Sequence, residues 1–84
     1  MNVLTKAYMN VLTKAYYKEI LKCCEVAHSL TQIHQTTKIS YPTTLKYINM
    51  LIEDDYVEEF KFEGDKSRFF QNTSKGNKLR KELK

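Results

Sequence analysis

The sequence predicts a mainly α-helical domain with a small β-hairpin (an α+β fold), in the order helix-helix-helix-strand-strand-helix. Three observations predict this fold class. Apolar residues recur at steps of three and four through residue 52, which is the period of an amphipathic helix. Serine stands where the second and third helices would begin, as a helix N-cap does. The apolar period then falls to two at Phe60 and Phe62, as in a strand.

Size and charge narrow the range of functions. The chain has 84 residues, enough for one small domain, and its formal net charge of +4 is consistent with a nucleic-acid partner. No apolar run is long enough to cross a bilayer, so we expect no membrane partner and a cytoplasmic location. We expect neither enzyme activity nor a cofactor, because the sequence shows no nucleophile–base pair, phosphate-binding loop or metal cluster.

The N-terminal part of the chain carries a direct repeat. Residues 9–16 have the same sequence as residues 1–8, MNVLTKAY. On a helix an eight-residue step rotates each copy by about 80°, so the two copies cannot share one face. Two interpretations stay open: a duplicated start in the gene or an expression artefact, or an extension of the first helix that offers an apolar surface to a second subunit. We therefore divide the chain into residues 1–16 and a domain of residues 17–84.

The first helix is predicted from Tyr16 to about Ala27. Its apolar side is marked by residues at steps of three or four, namely Tyr16, Ile20, Cys23 or Cys24, and Ala27. Adjacent side chains on a helix point about 100° apart, so one thiol can face the core and the other the surface. We expect two reduced thiols; the alternative is an intersubunit disulfide through the exposed thiol.

The second helix is predicted to begin at a capping box. Ser29 and Gln32 form the pattern S-x-x-Q, in which each side chain bonds to the backbone of the other residue. Leu30 and Ile33 then point inward, and the helix ends near Thr37.

The third helix is predicted to run from Tyr41 to Glu53 or Asp54. Ser40 is its N-cap, and Pro42 lies in the first turn, where proline is tolerated. Ile39, in the turn before it, is expected to plug the core. At about 100° per residue, one side of the helix is expected to pack on the core through Tyr41, Leu45, Ile48, Leu51 and Ile52. The opposite side is expected to face outward with Thr43, Lys46, Tyr47 and Met50.

The hairpin and a closing helix complete the predicted domain. Phe60 and Phe62 mark the first strand, residues 64–66 the turn, and residues 68–72 the return strand. Thr73 caps a last helix over residues 74–83, with Leu79 and Leu83 facing inward.

Taken in order, these segments resemble the winged helix-turn-helix domain of DNA-binding regulators. Residues 29–52, SLTQIHQTTKISYPTTLKYINMLI, look like the helix-turn-helix, and residues 51–60, LIEDDYVEEF, look like the end of its second helix and the first wing strand. Residues 68–83, RFFQNTSKGNKLRKEL, resemble the return strand with the family's spacing of an aromatic, two residues, Thr, two residues and Gly. The resemblance covers residues 16–83 and is nearest to small archaeal and archaeal-virus regulators.

The resemblance implies that the third helix is a recognition helix that reads the major groove of double-stranded DNA. Thr43, Lys46 and Tyr47 are then expected at bases or phosphates. Tyr41 and Thr44 are expected at phosphates. The remaining expected contacts are those of the second helix and the wing: Gln32 and Gln35 on the DNA backbone, and Lys66 and Arg68 at the wing, with Arg68 in the minor groove.

The sequence departs from the family pattern at two positions and in its charge. Asp55 lies where the family usually has glycine before the first wing strand, and Asn72 lies where an apolar residue is common. Seven acidic residues fall between Glu53 and Asp65, which weakens the positive field expected near DNA.

These features predict a sequence-specific DNA-binding regulator. We expect a homodimer on two half-sites, because one small recognition helix contacts too few bases for genomic specificity. Two alternatives stay open: a winged helix used for protein contact, and a non-specific architectural DNA binder. In the protein-contact alternative, the tyrosines and phenylalanines are the anchors. A simpler interpretation of the site residues also stays open: Tyr41 and Tyr47 are ordinary partly buried aromatics, and Lys66 and Arg68 only keep the hairpin edge from pairing.

Overall fold

The structure, a computed structural model, describes residues 10–83. Within this range the four helices are α1 (Val11–Cys23), α2 (Leu30–Thr37), α3 (Tyr41–Glu53) and α4 (Ser74–Glu82). The three strands are β1 (His28–Ser29), β2 (Val57–Phe60) and β3 (Phe69–Asn72). The predicted fold class is confirmed, with one addition: the two-residue strand β1, which was not predicted.

The three strands form one antiparallel sheet in the order β1-β3-β2. Phe60 pairs with Phe69, and Glu59 pairs with Phe70 in the hairpin. On the other side of β3, Phe70 pairs with His28. Because side chains alternate across a sheet, Phe70 and Glu59 lie on one face while Phe60 and Phe69 lie on the other. Phe70 is fully buried, so its face is the one that covers the core.

Helix α1 begins earlier and ends earlier than predicted. Asn10 is its N-cap and accepts a hydrogen bond from the Thr13 N–H at 2.7 Å, while its C-cap is Cys24. Residues 11–16 of the second octapeptide are therefore the first turns of α1, and the first octapeptide lies outside the described residues. Cys24 is buried and Cys23 is half-buried, both as free thiols.

The turn between α2 and α3 forms as predicted. The capping box is present: the Gln32 N–H donates to Ser29 Oγ at 3.2 Å, and the Ser29 N–H donates to Gln32 Oε1 at 2.8 Å. Lys38 ends α2 in the left-handed conformation, with φ 64°, and turns the chain sharply. Ile39 then enters the core, and Ser40 caps α3, as expected.

The start of α4 explains the Thr-x-x-Gly spacing. The Thr73 hydroxyl accepts from the Gly76 N–H at 3.0 Å and donates to the Asp55 carbonyl at 2.6 Å, so one side chain caps α4 and ties it to the end of α3. Gly76 lies against the chain at Tyr56, where a Cβ atom would come within 1.9 Å of the Tyr56 carbonyl oxygen. Glycine is therefore needed for close packing of α4.

The buried Asn72 has a structural explanation. Its Nδ2 donates to the Leu21 carbonyl at 2.6 Å and to Asn77 Oδ1 at 3.1 Å, and its backbone N–H donates to the Cys24 carbonyl at 2.8 Å. An apolar residue in this place would leave the Leu21 carbonyl without this donor at the end of α1.

The core is one cluster built from all four helices and the sheet. Its fully buried members include Ile20 and Leu21 of α1, Ile33 of α2, and Phe70 of β3. Leu79 of α4 completes it, as predicted. Among residues 10–83, every helix is too short or too polar to cross a membrane.

Candidate nucleic-acid interface

Helix α3 exposes a polar strip along its outer side. At about 100° per residue, Pro42, Lys46, Asn49 and Glu53 fall within one narrow sector, and all four are exposed. Lys46 was predicted to face outward, and it does. Asn49 was missed, although its position three residues after Lys46 puts it on the same side of any helix.

Tyr47 does not lie on this strip. Its side chain is only 7% exposed, and its ring centroid lies 4.9 Å from that of Tyr16 and 6.0 Å from that of Tyr17. The predicted outward orientation of Tyr47 is therefore wrong. The physical reason is that α1 supplies two aromatic rings at this point, and burying a third ring among them is favourable.

Thr44 is also inside the protein. It is fully buried, and its hydroxyl donates to the Ile39 carbonyl at 3.3 Å. The predicted phosphate contact of Thr44 is incompatible with this position. A buried hydroxyl must be paired, and the turn before α3 offers it a carbonyl within reach.

Tyr41, by contrast, is more exposed than predicted. It was placed on the core side of α3, but it is 47% exposed and meets the His34 ring edge-on at 5.7 Å. Its predicted contact with a phosphate is compatible with this exposure and stays a prediction.

The first turn of α3 holds two hydroxyls close together. Ser40 Oγ donates to Thr43 Oγ1 at 2.9 Å and accepts weakly from the Thr43 N–H at 3.4 Å. Thr43 is half-buried, so part of its side chain still reaches the surface. Ser40 is exposed beside it, although it was predicted only as a cap.

Helix α2 presents its two glutamines to solvent, as expected. Gln35 is exposed and lines a surface cavity of about 330 Å³ at the turn, together with His34, Lys38, Ile39 and Ser40. Gln32 is exposed too, but its carbonyl oxygen belongs to the capping box, so only its NH₂ group is left for another partner.

The wing is the hairpin of β2 and β3, and its arginine, Arg68, is already paired with a carboxylate. Arg68 Nε donates to Glu59 Oε2 at 2.6 Å and Arg68 Nη2 donates to Glu59 Oε1 at 3.0 Å. The guanidinium carbon also lies 5.4 Å from the centre of the Phe70 ring. The hydrogen bonds from Arg68 lower the pKa of Glu59 and, reciprocally, raise the pKa of Arg68. Lys66, at the tip of the wing, is exposed.

A shallow groove of about 190 Å³ connects the helix-turn-helix to the wing. Its polar lining comes from the start of α2, from α3 and from the residues before β3, namely Ser29, Thr31, Tyr41, Ser67 and Arg68. Hydroxyl groups beside a guanidinium are a suitable surface for the oxygens of a phosphate. Thr31 and Ser67 were not predicted, because only the folded chain brings these two segments together.

A sequence model of the winged helix-turn-helix family matches residues 15–84. The chain belongs to the winged helix-turn-helix family. No curated protein matches the sequence.

Among solved structures, this winged helix is similar to Sso10a-2, a DNA-binding protein from Sulfolobus solfataricus, with 26% identity and a TM-score of 0.75 over 83% of this chain and 72% of that chain. It is similar in fold to a MarR mutant from E. coli complexed with operator DNA, with 12% identity and a TM-score of 0.72 over 95% of this chain and 56% of MarR. The PcaV transcriptional regulator from Streptomyces coelicolor, with its natural ligand, shares 10% identity and a TM-score of 0.72 over 89% and 52% of the two chains. The matches cover 56% of MarR and 52% of PcaV, and at 12% and 10% identity these two likenesses show the fold alone. The family match and the archaeal Sso10a-2 confirm the resemblance inferred from the sequence.

Proposed function

We propose that this winged helix binds double-stranded DNA and regulates transcription. The observation that carries the proposal is the outer strip of α3, where Lys46 and Asn49 stand uncovered on a helix that the core holds from behind. The proposal draws further support from family membership and from the likeness to Sso10a-2, itself a DNA-binding protein. A DNA partner would also be found inside the cell, in agreement with the predicted location.

In the major groove, α3 would read bases through Lys46, Asn49 and Thr43. Lysine can bond to the O6 and N7 edge of guanine, and asparagine can make two bonds to adenine. The Thr43 methyl group can contact the thymine methyl. Each well-formed pair distinguishes the right base by about 1–3 kcal/mol, so two or three such contacts give a short recognition sequence.

Phosphate contacts would fix the orientation of α3. The groove between α2 and the wing is suited to one phosphate, through Tyr41, Thr31 and Arg68. The NH₂ groups of Gln32 and Gln35 lie on the exposed side of α2 and would bond to the backbone that this helix crosses. Lys66 would add a charge contact from the wing tip.

We further propose that the protein acts as a homodimer on two half-sites. A single helix with a few base contacts does not supply the discrimination that a genome demands, and two copies on a palindrome double it. The exposed Val11 and Leu12 at the start of α1 give an apolar surface on which a second copy could pack.

The primary test uses anisotropy to measure the affinity for a fluorescent duplex at salt concentrations from about 50 to about 200 mM, a range over which affinity from phosphate contacts falls steeply. A log–log slope of roughly −0.9 for each neutralised phosphate is expected. Absence of binding at the lower salt concentration would reject DNA as the partner. Selection of bound sequences from a random duplex pool then tests specificity: a palindrome supports a dimeric regulator, and a pool without consensus supports the architectural alternative.

One observation favours the protein-contact alternative. Phe60, Phe62 and Phe69 form an aromatic cluster on the outer face of the hairpin, with ring centroids 5.3 and 4.9 Å apart, and Phe62 is 50% exposed. An exposed apolar patch beside acidic residues is more typical of a protein contact than of a DNA contact. If Phe62→Ser abolishes capture of a protein partner while wild-type protein shows no salt-dependent DNA binding, this alternative replaces the first.

A further inference from the structure

The wing arginine has its best phosphate-binding edge occupied. Two parallel N–H···O bonds, at 2.6 and 3.0 Å, join Nε and Nη2 of Arg68 to both carboxylate oxygens of Glu59. A phosphate is bound by arginine through the same fork of two donors. A DNA phosphate that takes this edge must therefore displace the carboxylate.

The pair lies where such an exchange is possible. The side chains of Arg68 and Glu59 are 44% and 32% exposed, so neither is locked inside the protein. Arg68 also lines the groove beside Tyr41 and Thr31, so a phosphate in that groove would meet the side chain without a change of fold. An exposed ion pair contributes little to stability, so a phosphate contact can replace it.

We propose that Glu59 is an internal competitor that occupies Arg68 and lowers the affinity of the wing for DNA backbone. This proposal rests on the proposed function, since it concerns the same DNA-binding surface. It identifies Glu59, which was not among the predicted site residues, as a residue that sets affinity. One of the acidic residues around the wing would thus act on DNA affinity through a single contact, its ion pair with Arg68, and not only through its charge.

The neighbouring residue is a matched control. Glu58 and Glu59 are consecutive in β2 and both exposed, but Glu58 pairs with Gln71 while Glu59 pairs with Phe70. Their side chains therefore point to opposite faces of the hairpin. Glu58→Gln removes the same charge from the same strand, without touching Arg68.

The experiment measures duplex affinity against salt for wild type, Glu59→Gln and Glu58→Gln, each with Arg68 present and with Arg68→Ala. Both glutamine variants should bind more tightly, because each loses a negative charge. Glu59→Gln should exceed Glu58→Gln by about threefold to fivefold, because wild type must first break an exposed ion pair to free Arg68. In the Arg68→Ala background this excess should vanish.

Equal affinities of the two variants in the presence of Arg68 would overturn the proposal, as would an excess that persists without Arg68. Glu59→Asp gives a second measurement at unchanged net charge: its shorter side chain reaches Arg68 less well, so the affinity should rise, and an unchanged or weaker affinity counts against competition. A wild type that binds no DNA would instead overturn the proposed function, and with it this role of Glu59.

Discussion

Gly76 shows how a single missing side chain sets the packing of α4. A Cβ atom there would lie 1.9 Å from the carbonyl oxygen and 2.9 Å from the carbonyl carbon of Tyr56, both of which are backbone atoms. Gly76→Ala should therefore lower the free energy of unfolding by roughly 1–3 kcal/mol or more, because α4 must move off the sheet. Urea unfolding followed by circular dichroism measures the loss.

Gly64→Ala is the matched control for this substitution. Gly64 has φ +81° and nothing within 4 Å of an added Cβ, so alanine there meets backbone strain but no clash, at a cost of about 1–2 kcal/mol. The midpoint of unfolding should fall further for Gly76→Ala than for Gly64→Ala. Equal losses would mean that α4 adapts easily and that Gly76 is not a packing requirement.

Asp55 illustrates a departure from the family pattern that the backbone explains. It has φ 64°, the left-handed conformation that glycine adopts most easily and that aspartate tolerates better than most residues. Asp55→Gly should leave stability within about 1 kcal/mol of wild type, whereas Asp55→Val should cost about 1–2 kcal/mol, because a β-branched residue is strained there. Thermal unfolding of the two variants, compared with wild type, tests the ordering, which a stable Asp55→Val would contradict.

At the scale of the element, the length of α3 could be predicted from the sequence, but its rotation could not. Ser40, Pro42 and the polar residues after Glu53 define where it begins and ends by local chemistry alone. Its inward side depends on α1: Tyr16 and Tyr17 create a place for Tyr47, and the Ile39 carbonyl provides a partner for Thr44. Tyr16 and Tyr17 are distant from α3 in the sequence, so the apolar pattern alone favoured a side centred on Leu45.

Strand β1 was not predicted for a related reason. Two residues are too few to show the alternation of apolar and polar residues that marks a strand, and His28 and Ser29 form one only because β3 lies beside them in the fold. The same holds for the groove of Thr31, Ser67 and Arg68, and for the pairing of Arg68 with Glu59. Local signals, such as the two capping motifs and the Thr-x-x-Gly spacing, were by contrast read correctly.

The two sides of α3 should respond differently to substitution. Lys46→Ala should reduce duplex affinity about tenfold with little change in unfolding free energy, because the side chain is exposed on the outer strip. Tyr47→Ala should instead cost about 3–5 kcal/mol of stability, since it empties a buried site between two rings. Anisotropy and urea unfolding, performed on both variants, separate the two effects.

Lys18→Ala is the charge control for Lys46→Ala. Lys18 is exposed on α1, away from the outer strip of α3, because α1 packs on the opposite, buried side of α3 through Tyr17. Lys18→Ala removes one positive charge, as Lys46→Ala does. A comparable loss of affinity in both variants would show that net charge, and not the outer strip of α3, governs binding.

At the scale of the whole molecule, the buried phenol of Tyr17 and the buried thiol of Cys24 make stability depend on pH in alkaline solution. Burial, with the charge of Asp54 second, raises the pKa of Tyr17 to about 12 from 10.0, and burial, with Cys23 second, raises the pKa of Cys24 to about 12 from 9.0. The folded protein therefore holds both protons more tightly than the unfolded chain does.

The free energy of unfolding should keep the full contribution of these groups below pH 9 and decline as the pH rises from 9 toward 12. Urea midpoints at a series of pH values measure the decline. In Cys24→Ala the decline between pH 9 and pH 10 should be smaller, because only the half-buried Cys23, whose pKa burial also raises from 9.0, is left to titrate below the ordinary pKa of the Tyr17 phenol, 10.0. An unchanged midpoint throughout this range would show that neither group stays protonated through burial in the fold.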